Sequence, residues 1–446
     1  MSNSRLAHFS AGRVILFALF CTIMLGTLLL ALPISRHAPM AFIDLLFTAT
    51  SVTCVTGIFT VPLDQFTFFG HCVLLFLMQI GGLGIITLTL FLLSSFMHLG
   101  LASQLMAGKL LELESWKNIR ELLEFIILLT VSIELIGAAS FFLVFYQEYP
   151  AGHAVFLSVF HAVSFFCNAG ITLFASGISV YANNYQVIGT AALLMLIGGL
   201  GFVTIYELIM RTIGEKKHLH FSLQSKIVLY GAFIGICITT LLIWLLERHH
   251  AFASMSTFGS IINSIFHAIS FRSTGLLSVS VGSLHLATLF LVLVVSFIGS
   301  APGSTGSGVR TTAMAIYLSV VRAAIEGQTI INIGSRRIAK DQVNKAIAII
   351  SLSIFWIALT TFSLLIIEPR WQFIDVLFET VCAFTNLGLT TGITPHLSSL
   401  GKFLIMLSMI IGRIGSLTLI LALRKIALRA ENKADIVYPE ERVMLS

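Results

Sequence analysis

One short pattern occurs four times in this chain and constrains its fold more than any other feature. Each copy runs from a Phe through an apolar segment to a glycine nine or ten residues later. The glycines stand 113, 105 and 113 residues apart, at Gly57, Gly170, Gly275 and Gly388. Self-similarity at a fixed period is the sign of a repeat architecture. We therefore predict four similar units around one axis.

Composition places these units in a membrane. Hydrophobic residues make up 57% of the 446 residues, charged residues only 10%, and the mean hydropathy is +0.98. Many stretches reach the length of about 20 apolar residues that a helix needs to cross a bilayer. Helices are expected because hydrocarbon offers no partner to unpaired backbone groups. The sequence predicts an all-α integral membrane protein, since a soluble enzyme of this composition would have too little polar surface.

The cysteines indicate neither a zinc site nor a disulfide framework. All six stand singly, with no CxxC pair or Cys/His cluster. The first apolar run, about 14–32, follows Arg5 and Arg13 and could pass for a signal peptide. We interpret it as a retained first span, because it is long for a signal and leads into the exit at Pro33–Ser35.

Charge placement predicts the orientation. Five short basic segments hold 19 of the 26 Lys and Arg residues, namely the N-terminus, 109–120, 211–226, 322–345 and the tail from Arg424. The opposite side carries only Arg36, Arg248, Arg370 and Lys402. By the positive-inside rule, both termini and the linkers between units are cytoplasmic. The net charge of +6 is then a topology signal and gives no reason to expect a nucleic acid partner.

Each unit reads as a span, a short half-buried helix, a glycine turn and a second span. The short helices are too brief to cross, so the chain enters and leaves on the outer side. This M1–P-loop–M2 arrangement gives eight transmembrane helices and four re-entrant pore loops around a central pore. We place the units at 1–100, 101–215, 216–335 and 336–446. The predicted helices are 14–32, 41–52 and 70–96 in the first unit, 122–146, 154–166 and 185–210 in the second, 225–246, 258–270 and 284–320 in the third, and 345–367, 373–384 and 402–423 in the fourth.

The four glycine turns, numbered 1 to 4 in chain order, have the chemistry of a cation filter. Backbone carbonyls of four loops can surround a desolvated cation without a fixed charge. Glycine permits positive φ and close backbone approach, and the short helices direct their partially negative C-terminal ends to the same centre. No turn carries an acidic residue, which argues against a divalent-type carboxylate ring. Turns that only join packed helices are the alternative for any single copy, but four in register favour the filter.

We expect the filter carbonyls to come from three residues of each turn. These residues are Val55, Thr56 and Gly57 in turn 1, Asn168, Ala169 and Gly170 in turn 2, Ser273, Thr274 and Gly275 in turn 3, and Asn386, Leu387 and Gly388 in turn 4.

A candidate gate follows turn 3. The second span of the third unit breaks at residues 299–308, the gate loop, where four glycines and a proline cannot stay helical. The break would lie just inside the filter. We disfavour an ordinary interhelical connection, because the matching spans of the other units read as continuous. The candidate gate residues in this loop are Gly299, Gly303, Ser304, Thr305, Gly306 and Gly308.

Three arginines lie near these elements. Arg413 interrupts the final span, where a charge is costly, and we expect it to complete the gate by repelling cations or by hydrogen-bonding carbonyls of the gate loop. Arg272 either braces the filter from behind, through hydrogen bonds or an acidic partner such as Glu379, or lies at the vestibule surface. Arg310 is a hinge anchor or, as we slightly favour, a helix N-terminal residue.

Other polar and glycine positions favour structural roles. Glu134 is expected to pair with a neighbouring polar group, and His161 and His267 to be hydrogen-bonded core residues, because no second metal ligand stands at helical spacing. The stretches Gln79–Gly84 and Ile197–Gly201 indicate close helix packing, since no strand precedes them as a nucleotide-binding loop requires.

The chain resembles the Trk/Ktr/HKT superfamily of cation transporters over about residues 14–440. The resemblance rests on the turns and on Gln79–Gly84, Phe165–Gly170, Gly299–Gly308 and Ile411–Gly415. The first unit lacks a preceding extra hairpin, which is closer to the Ktr membrane subunit than to the longer Trk type, as is the tail Ile436–Glu440. In this family four filter glycines go with potassium, and sodium-selective plant relatives carry serine at the position of Gly57. Cys54 and Asn386 depart from the residues of many members.

The resemblance implies a gated, channel-like potassium translocator of the cell inner membrane, with sodium as an activator or companion ion and no organic cofactor. It also implies a homodimer docked on a cytosolic ring of nucleotide-binding regulatory subunits. The linkers 211–226 and 322–345 are the expected docking surface, or they face solvent and anionic membrane lipid.

Two other function classes compete with a channel. Alternating-access secondary transporters usually show inverted repeats with broken helices in paired halves, whereas these repeats run in one direction and one helix reads as broken. A membrane-embedded enzyme would need catalytic groups, and the sequence has no nucleophile–base arrangement.

Overall fold

The computed structural model describes residues 11–83, 119–212 and 221–415, and this part of the chain is mostly helical. In chain order the helices are α1 Ala11–Ala31, α2 Phe42–Thr53, α3 Phe68–Leu83, α4 Ile119–Phe145, α5 Ala151–Phe166, α6 Tyr185–Gly199, α7 Phe202–Thr212, α8 Leu223–Glu247, α9 Thr257–Ser270, α10 Leu286–Ile298, α11 Thr311–Ile325, α12 Lys340–Ile367, α13 Phe373–Thr385 and α14 Ser399–Ile414. Between α11 and α12, strand β1 Asn332–Ile333 pairs antiparallel with β2 Arg336–Arg337.

Three of the described helices are long and apolar enough to cross a membrane. They are Leu123–Phe145 within α4, α8 and α12, and a fourth span results if the bent pair α6 and α7 counts as one. Their exposed apolar side chains, such as Leu135, Phe233 and Phe362, suit contact with hydrocarbon. Shorter apolar helical segments of 10–17 residues include Leu16–Ala31 within α1, α2, α3, α5, α10 and α11. The chain is a membrane protein by these helices, and the count of eight spans stays a prediction.

A short helix precedes each glycine turn. These helices, α2, α5, α9 and α13, begin and end within three residues of the predicted bounds. Their C-terminal halves are buried, and the Phe that opens each copy of the pattern is at most 1% exposed. The four aromatic anchors are Phe47, Phe160, Phe266 and Phe378. The residues of the repeated pattern therefore form the buried C-terminal parts of four short helices.

The short helices close a ring. Each packs against the helix that follows the preceding turn: α5 on α3, α9 on α6, α13 on α10 and α2 on α14. The last contact joins the end of the described chain to its beginning. This circular order places the four turns around one centre.

Two of the described helices beside this centre are interrupted by a break, and the sequence predicted only one of these breaks. The gate loop separates α10 from α11 as expected. The prediction of a continuous second span at 185–210 is wrong, because α6 and α7 meet at an angle of 101°. Three glycines within 198–201 permit this break, and Gly201 adopts a φ of +84°. The backbone groups that the break frees from helical hydrogen bonding pair with the gate loop.

Parts of some predicted elements lie outside the described residues. The described part of the first unit's second span ends at Leu83, so 84–96 lie outside. The final helix ends at Ile414, short of the predicted 423, because Gly415 leaves the helix with a φ of +91°, and 416–423 lie outside. Also outside are the first ten residues, 109–118 of the linker 109–120, half of the linker 211–226, and the tail.

Three glycines let the neighbouring helices lie directly against the ends of the short helices. An added Cβ at Gly81 would lie 2.2 Å from Thr53 O, at Gly198 2.0 Å from Phe166 O, and at Gly412 1.7 Å from Phe384 O. Distances this short leave no room for a methyl group. The close packing predicted for two glycine stretches thus has a specific cause, which is the carbonyl end of the short helix.

We predict that Gly412→Ala destabilises the protein by about 1–3 kcal/mol, because the methyl group must displace the Phe384 carbonyl. The measurement is the midpoint of thermal unfolding in detergent. Gly235→Ala is the matched control, since nothing lies within 4 Å of a Cβ at that helical glycine. Equal midpoints for the two variants would contradict the packing account.

Candidate functional site

The four turns meet backbone to backbone. At each glycine an added Cβ would contact a neighbouring turn. The distances from the added Cβ are 2.3 Å at Gly57 to Ala169 O, 2.3 Å at Gly170 to Thr274 O, 2.3 Å at Gly275 to Gly388 N, and 3.0 Å at Gly388 to both Thr56 O and Thr274 O. These contacts run from turn 1 to 2, 2 to 3, 3 to 4 and 4 back to 1. The structure thus brings all four predicted turns together in a closed ring.

Backbone conformation differs among the turns. Gly57, Gly170 and Gly275 have φ values of +85°, +65° and +76°. Gly388 does not, so the expectation that glycine supplies positive φ at every turn is wrong for turn 4. There the left-handed residue is Asn386, with φ +52°, and Gly388 is required only for close approach. Asn tolerates this region better than other side chains do.

Turn 1 contains a strained residue. Val55 has a φ of +59° and is 2% exposed, at the position that Asn168 and Asn386 occupy in turns 2 and 4. A β-branched side chain is an outlier in this region, and such strain costs of order 1–3 kcal/mol. The surrounding packing must impose this conformation, because the side chain itself disfavours it.

Hydrogen bonds back to the short helices orient the turn carbonyls. In every turn the residue before the glycine donates its N–H to a helix carbonyl. The bonds are Thr56 to Ser51 at 2.7 Å, and Ala169 to Ser164, Thr274 to Ser270 and Leu387 to Cys382 at 2.8 Å. Because N–H and C=O point in opposite directions across a trans peptide, the preceding carbonyls point away from the short helices. Those carbonyls belong to Val55, Asn168, Ser273 and Asn386.

In three units, the residue that directly follows the Phe of the pattern accepts a hydrogen bond from the chain beyond the turn. His161 Nε2 accepts from the Leu173 N–H at 3.3 Å, and His267 Nε2 accepts from the Ser278 N–H at 3.0 Å. Glu379 accepts from the Thr390 hydroxyl in the fourth unit. The histidines are therefore core hydrogen-bonding residues. Glu134, in α4, likewise accepts from Gln79 Nε2 at 3.1 Å.

Asparagine side chains connect neighbouring turns. Thr274 Oγ1 donates to Asn168 Oδ1 at 2.6 Å, which joins turn 3 to turn 2. Asn386 is 2.8 Å from Thr56 Oγ1, which joins turn 4 to turn 1. In the amide orientation that satisfies both of its ends, Asn386 donates to this hydroxyl and to Met409 O. Asn168 donates to the corresponding Met195 O.

The gate loop lies against the turns and the bend between α6 and α7. Ala301 N–H donates to Gly199 O at 3.1 Å, and Phe202 N–H donates to Gly303 O at 2.9 Å. Thr305 Oγ1 donates to Phe166 O at 3.0 Å, at the end of α5. The loop therefore lies directly against the ring, and its backbone pairs with a second broken helix.

Arg413 donates hydrogen bonds to the gate loop. One guanidinium nitrogen donates to Thr305 O at 2.5 Å and to Ser307 Oγ at 3.1 Å. The other donates to Gly81 O in α3. The structure thus places this arginine between the gate loop and a helix of the first unit.

Arg310 has the helix N-terminal position that the sequence slightly favoured, and it also contacts the gate loop. It is the N-terminal cap residue of α11, with a φ of +83°. Its guanidinium donates to Ala301 O at 3.2 Å and to Gly306 O at 2.6 Å, so it also ties the gate loop to the helix that follows.

Arg272 is buried, with 9% of its surface exposed, so the vestibule-surface alternative is wrong. The suggested pairing with Glu379 is also wrong for the described ranges, because their ion pairs do not include these two side chains. The Glu379 carboxylate turns instead to Thr390 within its own unit.

Sequence reasoning missed two parts of this site. One is the bend at Gly199–Phe202, whose signal was three glycines within 198–201 without a proline. The other is the side-chain role of Asn168 and Asn386, which were considered only for their carbonyls. Their partners stand 106 and 330 residues away in the chain, so no local pattern could reveal them.

A model of the TrkH family, described as cation transport protein, matches residues 14–433. The chain belongs to this family. It is 33% identical to the Ktr system potassium uptake protein B of Bacillus subtilis, over 98% of this chain and 97% of that protein. It is 32% identical to the potassium/sodium uptake protein NtpJ of Enterococcus hirae, over 98% and 97%.

A solved structure shares the fold of this TrkH-family chain. The crystal structure of the potassium transporter TrkH from Vibrio parahaemolyticus matches with a TM-score of 0.73 and covers 92% of this chain and 83% of that one. Its sequence identity is 19%, so the likeness concerns architecture alone.

We predict that Arg413→Met raises cation flux through the unstimulated protein by about tenfold, because the gate loop loses charge-assisted hydrogen bonds. The measurement is rubidium flux into proteoliposomes at equal protein content. Arg413→Lys keeps the charge without the forked donors, so it separates repulsion from bonding. Wild-type flux in Arg413→Met would refute a gating role.

Proposed function

We propose that this protein takes up potassium across the cell inner membrane as a gated, channel-like translocating subunit. The observation that carries the proposal is the closed ring of four glycine turns. Family membership and the potassium named in its relatives support the choice of ion.

In this proposal, backbone oxygens replace the water around the ion. The carbonyls come from Val55 to Gly57, Asn168 to Gly170, Ser273 to Gly275 and Asn386 to Gly388. Such oxygens carry partial charges, so they coordinate a monovalent ion without holding it too tightly to leave. The helix C-terminal ends of α2, α5, α9 and α13 add partial negative charge at the same place. Arg272 is proposed to support this filter from its buried position beside turn 3.

The gate consists of the gate loop together with Arg413. The loop residues Gly299, Gly303, Ser304, Thr305, Gly306 and Gly308 belong to it. Conduction requires this loop to leave the space beneath the ring, which breaks its bonds to Gly199, Phe202 and Arg413.

The topology follows the four-unit division at 1–100, 101–215, 216–335 and 336–446. We propose eight spans and four re-entrant loops, with both termini cytoplasmic. The circular packing of short helices on the preceding units' helices supports this arrangement.

We further propose a homodimer bound to a cytosolic nucleotide-binding regulatory ring. The relatives named as parts of a Ktr system support a multi-subunit assembly. The exposed hairpin at Arg336 and Arg337 lies in the proposed docking linker 322–345. Sodium as a companion or activating ion is supported by the relative named for potassium and sodium. Membrane lipid surrounds the apolar outer faces.

An alternating-access transporter is the second candidate, and the bend between α6 and α7 favours it, because two broken helices replace the expected single one. However, these breaks bond to each other rather than forming separate half-sites. Together with the closed ring, this contact favours a single gate in a channel.

We predict that Gly57→Ser abolishes potassium preference, because the added Cβ would lie 2.3 Å from Ala169 O. The measurement is growth and ion uptake of potassium-transport-deficient cells. Gly392→Ser is the matched control, since Gly392 has a similar φ of +94° but nothing within 4 Å of an added Cβ. Intact selectivity in Gly57→Ser would contradict the filter assignment.

A further inference from the structure

The side chains of Asn168 and Asn386 each have one end at a filter turn and the other at the gate loop. We propose that they are positioning residues that couple the gate loop to the filter threonines Thr274 and Thr56. Ion binding in the filter and opening of the gate are then linked. This inference rests on the proposed potassium function and adds a physical connection between its two parts.

The first bridge joins turn 3 to the gate loop. Asn168 Oδ1 accepts from Thr274 Oγ1 at 2.6 Å, and Asn168 Nδ2 donates to Thr305 Oγ1 at 2.7 Å. Asn168 is 2% exposed, and both threonines are fully buried. Thr305 Oγ1 uses its own hydrogen on Phe166 O, so it can serve Asn168 only as an acceptor. The directions of all three bonds are therefore fixed.

The second bridge joins turn 1 to the gate loop. In its satisfied orientation, Asn386 donates to Thr56 Oγ1 at 2.8 Å and accepts from Ser307 Oγ at 3.1 Å. Asn386 is 1% exposed and Thr56 is fully buried. The two bridges occupy alternate turns, so between them they attach the gate loop to side chains from the whole ring.

A third contact shows how closely the loop is fitted. A Cβ at Gly306 would lie 2.2 Å from Ser273 Oγ in turn 3 and 1.9 Å from Ser300 Oγ. The loop backbone therefore passes directly against a filter residue. The gate loop therefore cannot move without changing the surroundings of Ser273 in turn 3.

Loop departure has a defined consequence for the asparagines. A buried amide that loses one of its hydrogen-bond partners is held less firmly in its position. When Thr305 and Ser307 move away, Asn168 keeps only its longer bonds to Met195 O and Phe166 O, and the Asn386 oxygen keeps only the Arg413 N–H. Each amide therefore holds Thr274 or Thr56 less firmly than before. An ion that stabilises the turns while Thr274 and Thr56 are bonded to the asparagines also favours the gate-loop position in which Thr305 and Ser307 bond to the same asparagines. By linkage, this coupling is reciprocal.

Thr305→Val tests the first bridge, because it removes the hydroxyl that accepts from Asn168 and donates to Phe166 O, and it keeps the shape and the backbone carbonyl that Arg413 contacts. We expect the potassium-to-sodium permeability ratio of full-length protein in proteoliposomes to fall about fivefold, the worth of the one buried hydrogen bond that reaches Asn168. Ser304→Ala is the matched control: its hydroxyl bonds to Ala301 O within the loop, so it is expected to alter flux without altering the ratio. Equal ratios in the two variants would overturn the proposal.

Thr274→Val tests the same bridge from the filter end, and it replaces Thr305→Val if that variant does not fold. In the double variant the ratio should equal that of Thr305→Val alone, because Thr274→Val then acts on a connection that is already broken. A permeability ratio in the double variant that is lowered by the product of the two single effects would overturn the proposed coupling. Thr305→Ser, which keeps the hydroxyl, should retain the wild-type ratio. Absence of potassium preference in the wild type would instead refute the proposed function, so the two failures are distinguishable.

Discussion

The four glycine turns can meet because no side chain stands between their backbones. Carbonyl oxygens or amide nitrogens of the adjoining turns occupy the space that a Cβ would take at Gly57, Gly170, Gly275 and Gly388. This contact requires short helices that end at the centre and neighbouring helices that approach their carbonyl ends. The buried phenylalanines, the circular packing and the glycines at 81, 198 and 412 all serve this requirement.

The site departs from fourfold symmetry in a regular way. Turns 1 and 3 carry Thr before the glycine, whereas turns 2 and 4 carry Asn two residues before it. Asn168 accepts from Thr274 of the next turn, and Asn386 donates to Thr56 of the next turn. These two bonds give the ring an approximate twofold character. Beneath the ring the symmetry is lower still, since the gate loop comes from the third unit, its docking bend from the second and Arg413 from the fourth.

Much of the fold was predictable from local sequence. The short helices follow from brief apolar segments that end at glycine, and the gate loop follows from a proline and four glycines in ten residues. The bend after α6 was missed because glycines alone are compatible with a tightly packed helix. The partners of Asn168 and Asn386 are set by tertiary contacts between distant segments, which spacing along the chain does not encode.

The ring account is tested most directly by locating a heavy potassium substitute in crystals of the full-length protein grown with rubidium. The account predicts an anomalous scattering peak on the axis between the four turns, surrounded by carbonyl oxygens of Val55, Asn168, Ser273 and Asn386 or of the residues that follow them. A bound rubidium ion located only outside this ring, in protein that conducts rubidium, would contradict it.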